Sequence, residues 1–273
     1  MPPKLGIVAG SGALPRQLVD ACRAAGRPHF VLALNGHTDR ETTDGAEHVW
    51  LEGVAVGAIL KALRSAECEE LVLAGKIARP NFRAMNPVDV AGLRLLPRLI
   101  KAATQGDDAI FQTIVGFFER EGFRVVGVDA VLHQDVAPAG PFAAARPGAT
   151  DEADIAKGIE VVRALGALDI GQACVVRDGH VVAVEAAEGT DAMLERCAGL
   201  RIEAPGGVLV KLTKPEQQRR VDLPTIGPRT VAGAAAAGLN GIAVEAGATL
   251  LVEREALVRA ADDASLFLVG LEL

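Results

Sequence analysis

Tyrosine is absent from this 273-residue chain, and aromatic residues of all kinds make up 3% of it. That scarcity removes the stacking platforms on which single-stranded nucleic acid is laid. A formal net charge of -7 opposes a phosphate-backbone partner. No nucleic-acid partner is expected. Cysteine is also sparse. Cys22, Cys68, Cys174 and Cys197 form no C-x-x-C pair and each lies in an apolar periodic segment, so buried free thiols in a reducing cytoplasm are expected. His29, His37, His48, His133 and His180 are scattered, with no pair at helical ligand spacing, which leaves zinc without support. No cationic-then-apolar leader stands before the first strand. The weakly charged run 231–252 contains Gly233, Gly238, Asn240, Gly241, Glu245 and Gly247. It reads as helix, turn, strand, turn, strand rather than as a membrane span. A soluble protein is expected.

What is present is an apolar half, enough for one large domain or two ordinary ones. Leu5 to Ala9, Phe30 to Leu34, Val49 to Leu51, Leu71 to Ala74 and Arg124 to Val128 read as short strands. Between them, helical spacing appears from Leu14 towards Gly26, over Val56 to Ala66, over Val90 to Ala103 and from Gly106 to Glu121. The helix at 90–103 is expected to bury Leu93, Leu96, Leu99 and Ile100. Strands alternating with helices predict a doubly wound, Rossmann-like parallel sheet over residues 1–131. Residues 132–149, with Pro138, Gly140, Pro141, Pro147 and Gly148, read as an irregular linker. A second α/β domain with a mixed sheet is expected over 150–273. It starts with a helix capped by Thr150, followed by a hairpin turning at Asp178-Gly179. A helix after an N-cap at Thr190, a strand ending near Leu212, and further strands and helices complete it.

Three stretches carry the chemistry. Lys211 to Pro228 holds Lys211, Lys214, Arg219 and Arg220 around its lone aspartate, Asp222, and its prolines force a loop. Cations around one carboxylate suit a phosphorylated substrate, with Asp222 left for a metal or a water. A charged surface turn with Asp222 paired to Arg219 or Arg220 is the plainer alternative. Glu185 to Asp191 joins a strand end to a helix start. Carboxylates beside a phosphate there would need a divalent cation between them, and oxygen ligands suit magnesium. Service to the helix dipole alone is the plainer alternative for Asp191. The third stretch, Gly10-Ser11-Gly12-Ala13, has the glycines of a dinucleotide loop, but Pro15 takes the third glycine position and Asn35, not an acid, ends the second strand. Amides at that helix start remain suited to a phosphate or hydroxyl. Ala9 and Ala13 break the serine-hydrolase elbow around Ser11, and Ile77 breaks a P-loop after Gly75-Lys76. Lys76, Arg79, Lys211 and Lys214 divide between phosphate ligands and solvated charges.

Six stretches in the same order resemble one family. They are Ile7-Val-Ala-Gly-Ser-Gly-Ala-Leu-Pro15, Gly75-Lys-Ile-Ala-Arg-Pro80, Lys101 to Asp108, Leu168-Asp-Ile-Gly-Gln172, Val184-Glu-Ala-Ala-Glu-Gly-Thr-Asp-Ala-Met193 and Arg220-Val-Asp-Leu-Pro-Thr-Ile-Gly227. Together they look like the LpxI-type UDP-2,3-diacylglucosamine pyrophosphatases of lipid A biosynthesis, with Ser11 standing where many relatives are expected to carry glycine. The resemblance implies two domains joined by a linker, with an amphipathic lipid-linked sugar nucleotide held between them. It implies magnesium-dependent hydrolysis to UMP and 2,3-diacylglucosamine 1-phosphate, manganese being a second candidate metal. Asp222 matches the family's essential aspartate and is the expected catalytic residue, with Asp222 and Asp191 as metal ligands. Gly10, Ser11, Gly12, Ala13, Lys76, Arg79, Asp107, Asp108, Gln172, Glu188, Gly189, Thr190, Lys211, Lys214 and Thr225 are the expected substrate contacts. A cytoplasmic protein making transient contact with the inner membrane is expected, and a homodimer is left open. Two other classes stay open on the residues alone: a sugar-nucleotide-binding protein without a hydrolytic step, and a cofactor-dependent oxidoreductase.

Overall fold

The structure, a computed structural model, describes residues 2–52, 55–77, 90–104, 106–132, 135–200, 206–214, 220 and 223–273. By its internal contacts the chain divides into two units, Met1–His133 with Gln218–Asp222, and Gln134–Gln217 with Leu223–Leu273.

In the first unit the short apolar runs form β1 (Leu5–Ala9), β2 (His29–Leu34), β3 (His48–Leu51), β4 (Glu70–Ala74) and β5 (Arg124–Val125). The helices are α1 (Ala13–Ala24), α2 (Val56–Ser65), α3 (Val90–Ala102) and α4 (Asp107–Arg120). The strands make one all-parallel sheet in the order β3-β2-β1-β4-β5. Parallel neighbours cannot be joined by a tight turn, so long connections, most of them helical, intervene. Burial on both faces makes the strands near-continuous apolar runs, as in the wholly buried LGIVA of β1. Helices α2, α3 and α4 share one core with Val8, Leu32, Leu34 and Leu71. The strand order reverses between β1 and β4, so the topological switch point lies at the carboxyl ends of those two strands.

Two local expectations are corrected. Helix α3 buries Leu95, Leu99 and Ala102, an i, i+4, i+7 stripe, whereas Leu93 is 57% exposed. Leu93 and Leu96 belong to the apolar composition of α3 but not to its core stripe. Strand β5 stops at Val125, because after Val126 the chain turns back on itself through Val131 and Leu132, whose amides donate to Val128 O.

In the second unit, β6 (Gly140–Pro141), α5 (Ala149–Ala167), β7 (Ala173–Arg177), β8 (His180–Val184), α6 (Gly189–Ala198), β9 (Val208–Lys211), β10 (Thr225–Ile226), α7 (Pro228–Ala236), β11 (Gly241–Glu245), β12 (Leu250–Leu251), α8 (Arg254–Asp263) and β13 (Phe267–Leu271) follow in turn. The main sheet runs β6-β13-β11-β9-β7-β8. Strands β9, β11 and β13 are parallel and β6, β7 and β8 make antiparallel pairs, so the sheet is mixed as expected. A small pair, β10 with β12, lies apart.

Strand alternation sorts the core of this sheet into two faces. Ala173, Val175, Leu209, Ile242, Val244 and Leu268 pack with α6, α7 and α8. Their neighbours Cys174, Val176, Val208, Val210, Ala243 and Phe267 pack with Ile155 and Val162 of α5. The hairpin turns where Asp-Gly predicts it, with positive φ at both Asp178 (49°) and Gly179 (78°). The buried Asp154 carboxylate accepts from both turn amides, at 3.0 and 2.7 Å.

Helix α5 starts two residues earlier than a Thr150 cap allows. Gly148 is the N-cap, and the Asp151 carboxylate accepts from its amide at 2.9 Å. Helix α6 likewise starts at Gly189 with Glu188 as N-cap, so Thr190 lies inside the first turn. The stretch read as a linker is irregular but tied to this unit: β6 pairs with β13, and the Ala137 amide donates to Thr249 O. Its prolines confine such pairing to an edge.

Candidate active site

Lys211 closes the apolar strand β9. Strand alternation gives it the face of Leu209, towards α6 and α7. Its side chain is thereby buried, at 6% residue exposure. The ammonium donates to Thr190 Oγ1 at 2.9 Å and to the Thr225 carbonyl at 3.1 Å. The single Thr190 hydroxyl proton is then directed to Glu185 Oε1, 2.8 Å away. Glu185 is itself 6% exposed, and its Oε2 accepts from the Gln172 amide at 3.2 Å. A buried lysine and a buried glutamate are thus linked through one hydroxyl, in surroundings where such bonds are strong and each unpaired charge is costly.

All these groups lie at one end of the sheet. Strand β7 runs against β9, setting Ala173 opposite Lys211, and β8 runs against β7, setting Val184 opposite Cys174. The start of β7 and the end of β8 therefore meet the carboxyl ends of β9 and β11, where ligands collect in open α/β sheets. Thr213 and Glu245 complete the rim: the Thr213 amide donates to Glu245 Oε2 at 3.0 Å, and the Thr213 hydroxyl donates to the same oxygen. Lys214 meets Asp169 at 2.6 Å, with side-chain exposures of 10% and 26%. This edge therefore carries Lys211, held by the Thr190 hydroxyl and the Thr225 carbonyl, and Lys214, held by the half-buried Asp169, and such fixed cations suit an anionic ligand.

In the first unit, the two loops at the switch point are zipped together. Ser11 and Lys76 exchange backbone bonds of 2.9 Å in both directions, and Ser11 Oγ donates to Lys76 O at 3.1 Å. The approach demands glycine on both sides: a Cβ on Gly10 would lie 2.6 Å from Lys76 O, and one on Gly75 would lie 2.8 Å from the carbonyl carbon of Gly10. The Gly12 amide, at the N-cap of α1, donates to the Asp39 carboxylate at 2.7 Å. An anionic ligand at that amide would have to displace Asp39.

The sequence matches the LpxI N-terminal domain over residues 4–134 and the LpxI C-terminal domain over residues 138–269. The chain belongs to the LpxI family. It is 46% identical over 278 residues to UDP-2,3-diacylglucosamine pyrophosphatase LpxI of Caulobacter vibrioides, an alignment covering 98% of each chain. Among solved structures, glycinamide-RNase-transformylase T from Mycobacterium tuberculosis is similar over 67% of this chain and 44% of that one. Its 14% identity and TM-score of 0.24 carry no argument.

Measured against the residues expected from the LpxI resemblance, the structure gathers Gln172, Thr190, Lys211 and Thr225 into one bonded cluster. Lys214 stands on the same strand end. Glu188 pairs instead with Arg196 at 2.8 Å, and its own backbone amide and then that guanidinium hold its carboxyl below the usual range. Asp191 pairs with Arg229 at 2.9 Å. Gly189 opens α6 with φ +81°. Gly10, Ser11, Gly12, Ala13 and Lys76 occupy the first unit's zipped loops, Ala13 as the first residue of α1, and Asp107 and Asp108 open α4. Asp222 and Arg79 lie outside the described residues. Arg220, the expected alternative partner of Asp222, pairs with Glu119. Sequence reasoning missed Glu245 and Asp169 as partners of the Lys211 rim. A carboxylate directly after the buried run Ile242–Val244 was the available signal for Glu245.

Proposed function

We propose that this chain hydrolyses the pyrophosphate bond of UDP-2,3-diacylglucosamine, giving UMP and 2,3-diacylglucosamine 1-phosphate. The observation that carries the reading is near-full-length identity to a pyrophosphatase of that name. The buried lysine at a strand-end rim adds support, because a diphosphate needs fixed positive charge and gains most from it where water is excluded.

In this reading Asp222 is the catalytic carboxylate and orients the attacking water. Lys211 and Lys214 neutralise charge developing on the phosphates, and Gln172 and Thr225 belong to the same bonded cluster as Lys211. Magnesium is the proposed metal, with manganese as substitute. Among the described residues no group of three His, Cys, Asp or Glu side chains could hold a metal. Magnesium does not require one, since it is commonly held by one or two carboxylates together with waters and substrate phosphates. Asp222 with Asp191, once Asp191 is released from Arg229, fits that donor set. When bound, the ion would offset phosphate charge and polarise the phosphorus. The acyl chains of the substrate imply work at the cytoplasmic face of a membrane. We propose a transient, peripheral contact; among the described residues no helix is long and apolar enough to cross a membrane.

The test is UMP release from UDP-2,3-diacylglucosamine, with magnesium or with chelator, by wild type and Asp222→Ala. Release that needs both the metal and the aspartate is expected. Binding of the lipid nucleotide without cleavage by wild type would replace this reading with that of a non-hydrolytic sugar-nucleotide-binding protein.

A further inference from the structure

The exposed side of α3 has a composition unlike the rest of this acidic chain. The helix contains no Asp or Glu, and its outward residues Leu93, Arg94, Pro97, Arg98 and Lys101 recur at i, i+1, i+4, i+5 and i+8, a single face. The opposite stripe is spent on the core. Lys61 and Arg64 of α2 line one surface groove with Arg94, so the cationic face continues from one helix onto the next. Glu121 also lines that groove and is engaged by Arg64 at 2.7 Å. Among the described residues, Lys61, Arg94, Arg98 and Lys101 make no ion pair.

We infer that this α2–α3 face is a docking surface for an anionic lipid bilayer. Charge complementarity selects the partner. A chain of net charge -7 is repelled by anionic surfaces in general, and this patch is where the repulsion reverses. Leu93, 57% exposed among the cations, separates a bilayer from other polyanions, because an aliphatic tip beside basic residues can enter the headgroup boundary while the cations meet lipid phosphates. Such a surface has a use only if the substrate resides in a membrane, so the inference rests on the lipid-nucleotide reading above. It adds to that reading the residues that make the contact.

The experiment is co-sedimentation of the full chain with phosphatidylcholine vesicles, with and without phosphatidylglycerol. It compares wild type, Lys61→Gln/Arg94→Gln/Arg98→Gln, and Leu93→Ser. Wild type should bind only the anionic vesicles and release on adding salt. The triple variant should lose about a hundred-fold in partition, roughly five-fold for each cation. Leu93→Ser should lose several-fold without changing the salt dependence. Hydrolysis of detergent-dispersed substrate serves as the fold control and should be unchanged in both variants. If wild type binds anionic vesicles but cleaves nothing, the catalytic reading fails while the surface stands. Equal binding of neutral vesicles, no binding by wild type, tighter binding of duplex nucleic acid, or full binding by the triple variant would each overturn the inference.

Discussion

Replacing Thr190 by valine tests the cluster at its narrowest point. The side chains have nearly the same shape and are both β-branched, so packing and helix propensity change little. What is lost is one hydroxyl that accepts from Lys211 at 2.9 Å and donates to Glu185 at 2.8 Å. Hydrogen bonds to charged groups contribute roughly 1.5–3 kcal/mol each, and a buried charge that loses its partner costs more than one in water. Lys211 keeps the Thr225 carbonyl and Glu185 keeps the Gln172 amide, so neither charge is stranded outright. The expected loss is therefore about 3 kcal/mol, near the lower end of the two-bond sum. Urea unfolding measures it, and Thr190→Ser should recover most of it. In a cycle with Glu185→Ala, the coupling should exceed about 1 kcal/mol, because both changes remove the same bond. If Lys211 is the charge-neutralising group, kcat should fall by about a hundred-fold in Thr190→Val with KM little changed. A valine variant within about 1 kcal/mol of wild type, or a serine variant as weak as valine, would show that the hydroxyl does not link the two charges.

Burial pushes the Cys174 thiol from its ordinary 9.0 up to about 12, and burial likewise lifts Cys68 to about 11. The folded chain holds these protons where the unfolded chain releases them. Stability should be unaffected below about pH 9 and fall as pH rises towards 12, which unfolding midpoints against pH will show. At about pH 8 a thiol reagent should label none of the four cysteines until denaturant is added. Glu70 is 4% exposed and bonded to both Arg27 and Arg124. Glu70→Ala should destabilise the first unit by about 3 kcal/mol in urea, because it leaves the mostly buried Arg27 without its carboxylate. Arg124→Ala, at a largely exposed side chain, should cost under about 1 kcal/mol. Gly10→Ala must push its Cβ into the backbone of Gly75 and Lys76, so it should break the Ser11–Lys76 bridge and lower the melting temperature.

Periodicity made the architecture legible because it reports burial directly. A strand covered on both faces has to be an apolar run, and a chain of such runs separated by amphipathic helices has few ways to fold besides a parallel sheet. The Asp178-Gly179 hairpin was equally legible, since only a few residue pairs tolerate positive φ twice in succession. Boundaries that depend on a hydrogen bond from elsewhere were not. Thr190 reads as an N-cap when only neighbouring residues are considered, yet its hydroxyl is claimed by Glu185, which tertiary pairing of β7 and β8 carries to the same place. The face of α3 failed for a related reason: Leu93, Leu96 and Ile100 compete with Leu95 for one stripe, and the packing of α2 and α4 decides between them.

The same distinction governs the site. Lys211 and Thr190 could be named from local chemistry, and Gln172 and Thr225 from the family resemblance, but their meeting follows from register: Ala173 opposite Lys211 and Val184 opposite Cys174. A one-residue slip of β9 would turn Lys211 to the α5 face, among Ile155, Cys174 and Val176, and away from Glu185. The apolar alternation of β9 therefore does more than fill the core. It forbids that slip, because the slip would bring Leu209 and Val210 to the wrong faces along with the lysine. The position of Lys211 is fixed by the same burial that stabilises the second unit, so if Lys211 serves the proposed hydrolysis, core substitutions in β9 should alter activity before they unfold the protein.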